Sequence, residues 1–159
     1  MSYQTVKQYF DQLGLAERVT HLDESSATVL EAAQALNCEP AHIAKTLSFL
    51  VNEQPILVVM AGDTKVDNHK FKTEFRQRPR MMPSAQVEAA IGHAPGGVCP
   101  FVTKPGVKIF LDVSLKRFAT IYPGGGDDHS AVKLSLYELE KYIDVERWVD
   151  VCKGWLVNA

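Results

Sequence analysis

Two apolar runs joined by a short polar turn restrict the fold of this chain more than any other feature. The first run covers residues 45–51 and the second covers residues 55–61, with Asn52, Glu53 and Gln54 between them. Runs of this length, rich in β-branched residues, predict strands, and the short polar connection predicts an antiparallel hairpin. We therefore expect this hairpin at the centre of a sheet.

Lys45 begins the first of these strands. Side chains alternate along a strand, so Lys45 shares the core-facing side with Leu47, Phe49 and Val51, and Thr46 points the other way. An ammonium group on a core-facing side is costly unless an anion or water meets it. One interpretation is a phosphate or carboxylate partner, and the other is a side chain that reaches solvent from the end of the strand.

Composition and motif spacing exclude several classes of protein. The chain has 159 residues, of which 46% are hydrophobic and 23% are charged, so we expect one domain over residues 1–159 with its own core. Its three cysteines and five histidines show no paired spacing, which predicts neither a disulfide framework nor a metal site. Without a nucleotide-binding glycine loop we also expect no cofactor. The absence of a signal peptide or a membrane-length apolar run predicts a cytoplasmic protein with no membrane partner.

The remaining patterns predict an α+β chain. Apolar periodicity indicates helices at residues 3–13 and 29–36, a helix to Ile91 with Ser84 as its N-cap, and a helix at 136–143. Further strands are expected at residues 19–22, 107–111, 118–122 and 130–135.

A first glycine loop, at residues 92–101, follows the helix that ends near Ile91. Gly96 and Gly97 lie between Pro95 and Pro100, and such a turn has exposed amides that a ligand can approach closely. Amide donors hold acyl and phosphate groups well. The alternative is an ordinary structural turn.

A second glycine loop, at residues 123–129, carries titratable groups. Three glycines precede Asp127, Asp128 and His129. A histidine beside carboxylates can carry a proton or donate a hydrogen bond. The alternative is a polar hairpin turn.

A basic segment spans residues 65–80. Phe71 and Phe75 lie four residues apart, as on the buried edge of a helix whose other face carries Lys70, Lys72 and Arg76. Such a face can follow a phosphate backbone, although charge runs more commonly form a solvated surface. The formal net charge of −2 leaves any nucleic-acid contact to a local patch of this kind.

Four of these motifs, taken together, resemble the YbaK family of aminoacyl-tRNA deacylases, which includes the editing domain inserted in bacterial prolyl-tRNA synthetases. The resemblance covers roughly residues 20–145. It rests on Ala44-Lys45-Thr46-Leu47 at the start of a strand, Ala61-Gly62-Asp63 with Val66-Asp67 before a helix, Gly92-x-x-x-Gly96-Gly97-Val98-Cys99-Pro100-Phe101, and the glycine-rich turn before the last strand and helix.

The resemblance implies a mixed, largely antiparallel, barrel-like sheet with flanking helices. It implies an enzyme that acts in trans and hydrolyses the ester of a mischarged small amino acid at the 3′ end of tRNA, with a tRNA synthetase as a further possible partner. The implied catalytic residues are Lys45, Gly96, Gly97 and His129. The implied substrate-binding residues are Thr46, Val98, Cys99, Pro100, Asp128 and Ser130, and the basic face adds Lys70, Lys72 and Arg76 as a tRNA-binding surface.

The resemblance also implies a specific contact for the main site residues. Lys45 is expected to contact the phosphate or ribose of the terminal nucleotide, and the loop from Gly96 to Pro100 to bind the acyl carbonyl. His129 is expected to position the substrate, with Asp128 or Ser130 as alternatives at that place. The edited amino acid stays open among alanine, cysteine, serine, threonine and proline.

The chain departs from the family pattern at one place in the first loop. The family often carries glycine after Pro-Phe, where this chain has Val102. This difference leaves the role of the end of the loop open. Two other functions also stay open: a non-catalytic module that binds tRNA or a synthetase, and a small-ester or thioester hydrolase that uses Cys99 as nucleophile.

Overall fold

A computed structural model describes residues 2–155 and contains five α-helices and ten strands within them. The helices are α1 Ser2–Gln12, α2 Val29–Leu36, α3 Asn68–Phe75, α4 Ser84–Ile91 and α5 Leu136–Tyr142. The strands are β1 Val19–His21, β2 Ile43–Val51, β3 Gln54–Ala61, β4 Lys65–Val66, β5 Lys108–Asp112, β6 Thr120–Pro123, β7 Ser130–Val132, β8 Leu134–Ser135, β9 Val145–Val149 and β10 Cys152–Lys153. Within this range no helix combines the length and apolar character needed to cross a membrane.

The expected hairpin is confirmed at the middle of the principal sheet, whose strand order is β8-β6-β2-β3-β5-β9. Strands β2 and β3 pair from Ala44 opposite Ala61 to Val51 opposite Gln54. The two residues between them, Asn52 and Glu53, have φ values of 52° and 64°. Paired left-handed residues characterise the two-residue turn whose twist matches that of the strands.

The predicted α+β class with a mixed, barrel-like sheet is confirmed, and the sheet is a curled half-barrel. Antiparallel pairing joins β2 to β3, β6 to β8 and the small sheets β1–β7 and β4–β10. Pairing is parallel between β2 and β6, β3 and β5, and β5 and β9. Long connections along the chain permit these parallel pairs, because two parallel neighbours require a crossover of about a dozen or more residues.

The hairpin carries a hydrophobic core on each face. One cluster contains Phe49, Val58, Met60 and Phe71, and the other contains Leu57 among its members. Leu47 and Val51 pack on the Phe49 cluster, as the alternation predicts, and Lys45 opposite Met60 lies on that same face.

Two local predictions were wrong. Ser84 is the first helical residue of α4 and not its N-cap, because Pro83 occupies the cap position without a side-chain hydrogen bond. The strand expected at residues 130–135 is divided between β7, which pairs with β1, and β8, which pairs with β6. The division lets one segment connect two sheets.

Candidate active site

A cavity of about 330 Å³ opens beside the exposed edge of β2. Residues 26–29 and 32 form one wall, and residues 43–48 of β2 form another. The rest is lined by Met81, by residues 96–98 of the first glycine loop and by residues 123, 124 and 127 of the second glycine loop. Residues 122, 130 and 131, which flank the second loop, complete the lining. The two glycine loops, which are distant in sequence, thus border one space.

The cavity brings together six of the predicted site residues: Lys45, Thr46, Gly96, Gly97, Val98 and Ser130. It does not include the others, which are Cys99, Pro100, Asp128, His129, Lys70, Lys72 and Arg76. It adds Asp127, Ser26, Met81 and Tyr122, for which the sequence predicted no role in the site. Only for Asp127 was there a sequence signal, its place in the Asp-Asp-His run, and that signal did not distinguish it from its neighbours.

Lys45 is the third residue of β2 and lies at the cavity wall. Its ammonium group donates a hydrogen bond to the carbonyl oxygen of Thr64. Burial lowers the pKa of Lys45 below its ordinary value, against smaller opposing effects of Cys152 and Asp63. No carboxylate in residues 2–155 forms an ion pair with this ammonium group, and its hydrogen-bond acceptor, Thr64, does not line the cavity.

Thr46 lies in a gap in the backbone pairing of β2. On the side away from β3, β6 pairs only as far as Ala44. The next bonds on that side involve the Ser48 carbonyl and the Leu50 N–H. Because alternate residues of a strand direct their backbone groups to the same side, the N–H and C=O of Thr46 face this gap. The hydroxyl oxygen of Thr46 is also buried without a hydrogen-bond partner in the described chain.

The first glycine loop touches the second through Gly97. A Cβ atom at this position would lie 2.6 Å from the Gly126 carbonyl oxygen and 2.8 Å from the Cα of Asp127. Only a residue without a side chain permits this approach. The Gly97 N–H donates to the Ala94 carbonyl at 2.9 Å, so this amide is already used within the turn.

The second glycine loop separates its acidic residues. Asp127 lines the cavity, and its Oδ1 accepts a hydrogen bond from the backbone N–H of His129 at 2.9 Å. Asp128 lies outside, where Oδ1 is 2.8 Å from Nδ1 of His129. This contact lowers the pKa of Asp128, and the side chains of Asp128 and His129 are 58% and 40% exposed. His129 therefore lies on the outer side of the loop.

Cys99 belongs to the first glycine loop, and its side chain is fully buried. Burial raises the pKa of its thiol to about 12, and its sulfur lies 3.5 Å from Nε2 of His93. That nitrogen also lies 2.6 Å from the Phe101 carbonyl oxygen, and burial lowers the pKa of His93. A thiol that stays protonated at neutral pH is a poor nucleophile. In residues 2–155 no group of three or more His, Cys, Asp and Glu side chains is arranged to hold a metal ion.

The basic face lies on α3, away from the cavity lining. Phe71 is fully buried and its ring centre is 4.6 Å from that of Phe75, which confirms the predicted buried edge of this helix. Nζ of Lys70 lies 3.2 Å from Oδ1 of Asp150 and donates to the Cys152 carbonyl at 3.0 Å. Part of the positive charge is therefore already used within the protein.

Comparison with known proteins gives a consistent result. A model of the aminoacyl-tRNA editing domain matches residues 23–142. The uncharacterized protein YwhH of Bacillus subtilis is 42% identical over 156 residues, which are 98% of this chain and 99% of that protein. A proline–tRNA ligase of Limosilactobacillus fermentum is 28% identical over 128 residues, or 77% of this chain and 22% of the ligase. A solved structure described as a proposed trans-editing enzyme for prolyl-tRNA synthetase aligns with a TM-score of 0.85 and 25% identity, covering 96% of this chain and 98% of that one.

Proposed function

The chain belongs to the aminoacyl-tRNA editing domain family, and from this premise we propose that it is a trans-acting deacylase of mischarged tRNA. The observation that carries the proposal is that Lys45, Thr46 and both glycine loops border one and the same cavity. Its volume of about 330 Å³ suits a small ligand group. An acylated tRNA end therefore fits the site, while the body of the tRNA stays outside.

The chemistry of ester editing matches the groups at the cavity. A synthetase separates small amino acids that differ by one methylene by only about 1–3 kcal/mol, so a second sieve is needed. An aminoacyl ester is already activated. Its hydrolysis depends on orientation, on donors aimed at the developing oxyanion and on a positioned water more than on a strong nucleophile.

The proposed roles follow the location of each residue. Lys45 binds a phosphate or the ribose of the terminal nucleotide, since its ammonium group forms no ion pair with a carboxylate of the described chain. Gly96 and Val98 border the acyl group, and Gly97 holds the loops together. His129 stays a proposed positioning residue on the outer side of the second loop.

The proposal extends to the surroundings of the site. Lys72 and Arg76, with Lys70 in a weaker role because of its ion pair with Asp150, are a proposed tracking surface for the tRNA. A tRNA synthetase that supplies mischarged tRNA is a proposed partner. A substrate of this kind places the protein in the cytoplasm.

The test is single-turnover deacylation of a panel of tRNAs carrying alanine, cysteine, serine, threonine or proline. We expect hydrolysis of one or two of these esters, with at least a tenfold loss of rate in Lys45→Met, because a charge-assisted contact contributes about 1.5–3 kcal/mol. Lys108→Met, at an exposed lysine outside the cavity lining, serves as the matched control. No hydrolysis of any ester by the wild-type protein would refute the deacylase and favour the binding module.

The tRNA surface has its own test. Charge reversal at Lys72 and Arg76 should weaken tRNA binding and reduce its dependence on salt concentration, since each phosphate contact contributes to the salt slope. Unchanged affinity and an unchanged slope would leave α3 as a solvated face.

A further inference from the structure

We propose that the cavity recognises the free α-ammonium group of the aminoacyl ester, through the carboxylate of Asp127 and the backbone carbonyl of Thr46. This inference rests on the proposed function. It narrows the substrate class to esters with an unblocked amine. Esters whose amine is acylated, as in a peptidyl-tRNA, would then be excluded.

The charges at the cavity are complementary to such a substrate. Lys45 and Asp127 are the only charged residues that line it within the described chain, and they lie on different elements. The end of an aminoacyl-tRNA likewise carries one kind of anion, the phosphate, and one cation, the α-ammonium group. Lys45 suits the first, so Asp127 is the lining residue that suits the second.

Asp127 has capacity for this contact. Its Oδ1 accepts the N–H of His129, which fixes the side chain at the start of the turn. No other described residue donates a hydrogen bond to its Oδ2, and no lysine, arginine or histidine in residues 2–155 forms an ion pair with it. A carboxylate beside a cavity without a cationic partner attracts a cationic ligand.

The open edge of β2 supplies the second acceptor. The C=O and N–H of Thr46 face the gap between the partners of Ala44 and Ser48. In an antiparallel sheet, a residue oriented in this way pairs with one residue of the neighbouring strand. Its C=O accepts an N–H from that residue, and its N–H donates to the C=O of the same residue. An α-amino acyl group offers that pair of groups. Its ammonium can donate to the Thr46 carbonyl while the ester carbonyl accepts from the Thr46 N–H.

This arrangement also supplies an oxyanion donor in place of Gly97. The Gly97 N–H is engaged with Ala94, whereas the Thr46 N–H lies at the open edge. Recognition through the main chain is independent of the amino-acid side chain. The free amine thus becomes a general requirement, and selection among side chains is left to the rest of the cavity.

The experiment is a cycle of two changes, one in the protein and one in the substrate. Asp127→Asn keeps an oxygen that can accept the His129 N–H and removes the negative charge. N-acetylation of the aminoacyl-tRNA removes the positive charge. Single-turnover rates are measured for wild type and Asp127→Asn on the alanyl, cysteinyl, seryl, threonyl and prolyl tRNAs and on their N-acetyl derivatives. Asp23→Asn, at an exposed carboxylate that does not line the cavity, is the control variant.

We expect N-acetylation to slow the wild-type enzyme by about 10- to 100-fold, the range of a lost charge-assisted hydrogen bond. Asp127→Asn should lose a similar factor on the free amine and little more on the acetylated substrate. Equal wild-type rates on both substrates would overturn the inference. So would an equal loss in Asp127→Asn on both, which would assign Asp127 to the shape of the loop.

Failure of the proposed function gives a different result. In that case the wild-type protein hydrolyses neither form of any tRNA. Binding of 3′-alanylamino-3′-deoxyadenosine and of its N-acetyl derivative, measured by calorimetry, then tests the inference without catalysis. Tighter binding of the free amine, lost in Asp127→Asn, supports it, and equal or undetectable binding of the two compounds refutes it.

Discussion

Replacement of Gly97 by alanine tests whether the contact between the two glycine loops builds the cavity. The added Cβ would lie 2.6 Å from the Gly126 carbonyl oxygen and 2.8 Å from the Cα of Asp127. Both obstacles are backbone atoms, so no side-chain rotation relieves them. Gly97 has no left-handed φ, so alanine brings no conformational strain of its own and the effect isolates the contact.

The size of the effect follows from the geometry. An ordinary contact begins near 3.4 Å, so the Gly126 oxygen must move by about 0.8 Å, the difference from 2.6 Å. Overpacking of this kind costs roughly 1–3 kcal/mol. For a domain of this size that corresponds to a fall in Tm of roughly 2–12 °C. The same movement displaces Asp127, and a misplacement of about 1 Å can cost about 100-fold in rate.

Two assays separate these effects. Calorimetry gives the change in Tm, and single-turnover deacylation well below that Tm gives the change in rate of the folded enzyme. Gly124→Ala is the matched control, because Gly124 also lines the cavity but its added Cβ would meet nothing closer than 3.8 Å. If Gly97→Ala retained the wild-type Tm and rate, or if Gly124→Ala lost as much, the close contact would not be what holds the site together.

Three further predictions concern stability and reactivity. Val102 has a φ of 51°, a left-handed conformation that costs a β-branched residue roughly 1–2 kcal/mol. Val102→Gly should therefore raise the Tm measured by calorimetry by a few degrees, and a lower Tm would contradict the strain. Cys99 is buried with a pKa of about 12, so Cys99→Ala should keep its deacylase rate, and iodoacetamide at pH 7 should label the partly exposed Cys38 first. Loss of activity in a folded Cys99→Ala would restore the thiol mechanism. Arg117 lowers the pKa of Asp63, so the stability from this pair is present above the unfolded-state pKa and is lost as pH falls through the folded-state value. The difference in unfolding free energy between wild type and Asp63→Asn in urea should therefore be largest near pH 7 and disappear in acid, and a difference independent of pH would refute the assignment.

Local patterns were enough to predict the central hairpin, the face occupied by Lys45 and the buried edge formed by Phe71 and Phe75. The reason is that strand alternation and helical spacing act between residues close in sequence. The same holds for Gly92 at the end of α4, which takes the left-handed conformation of a helix C-cap. The four motifs, taken together, also predicted the family, whereas strand alternation and helical spacing do not identify a family.

The tertiary structure alone decided which residues meet at the cavity. The sequence determined that Asp127, Asp128 and His129 share one loop, but their order does not say that the first turns inward and the other two outward. It determined that Gly97 sits in a turn, but the need for glycine there comes from Gly126, a residue far along the chain. The gap at Thr46 depends on where β6 stops and where residues 80–82 begin to pair. Contacts between distant segments are set by how the whole sheet packs, and that information is absent from any short stretch of sequence.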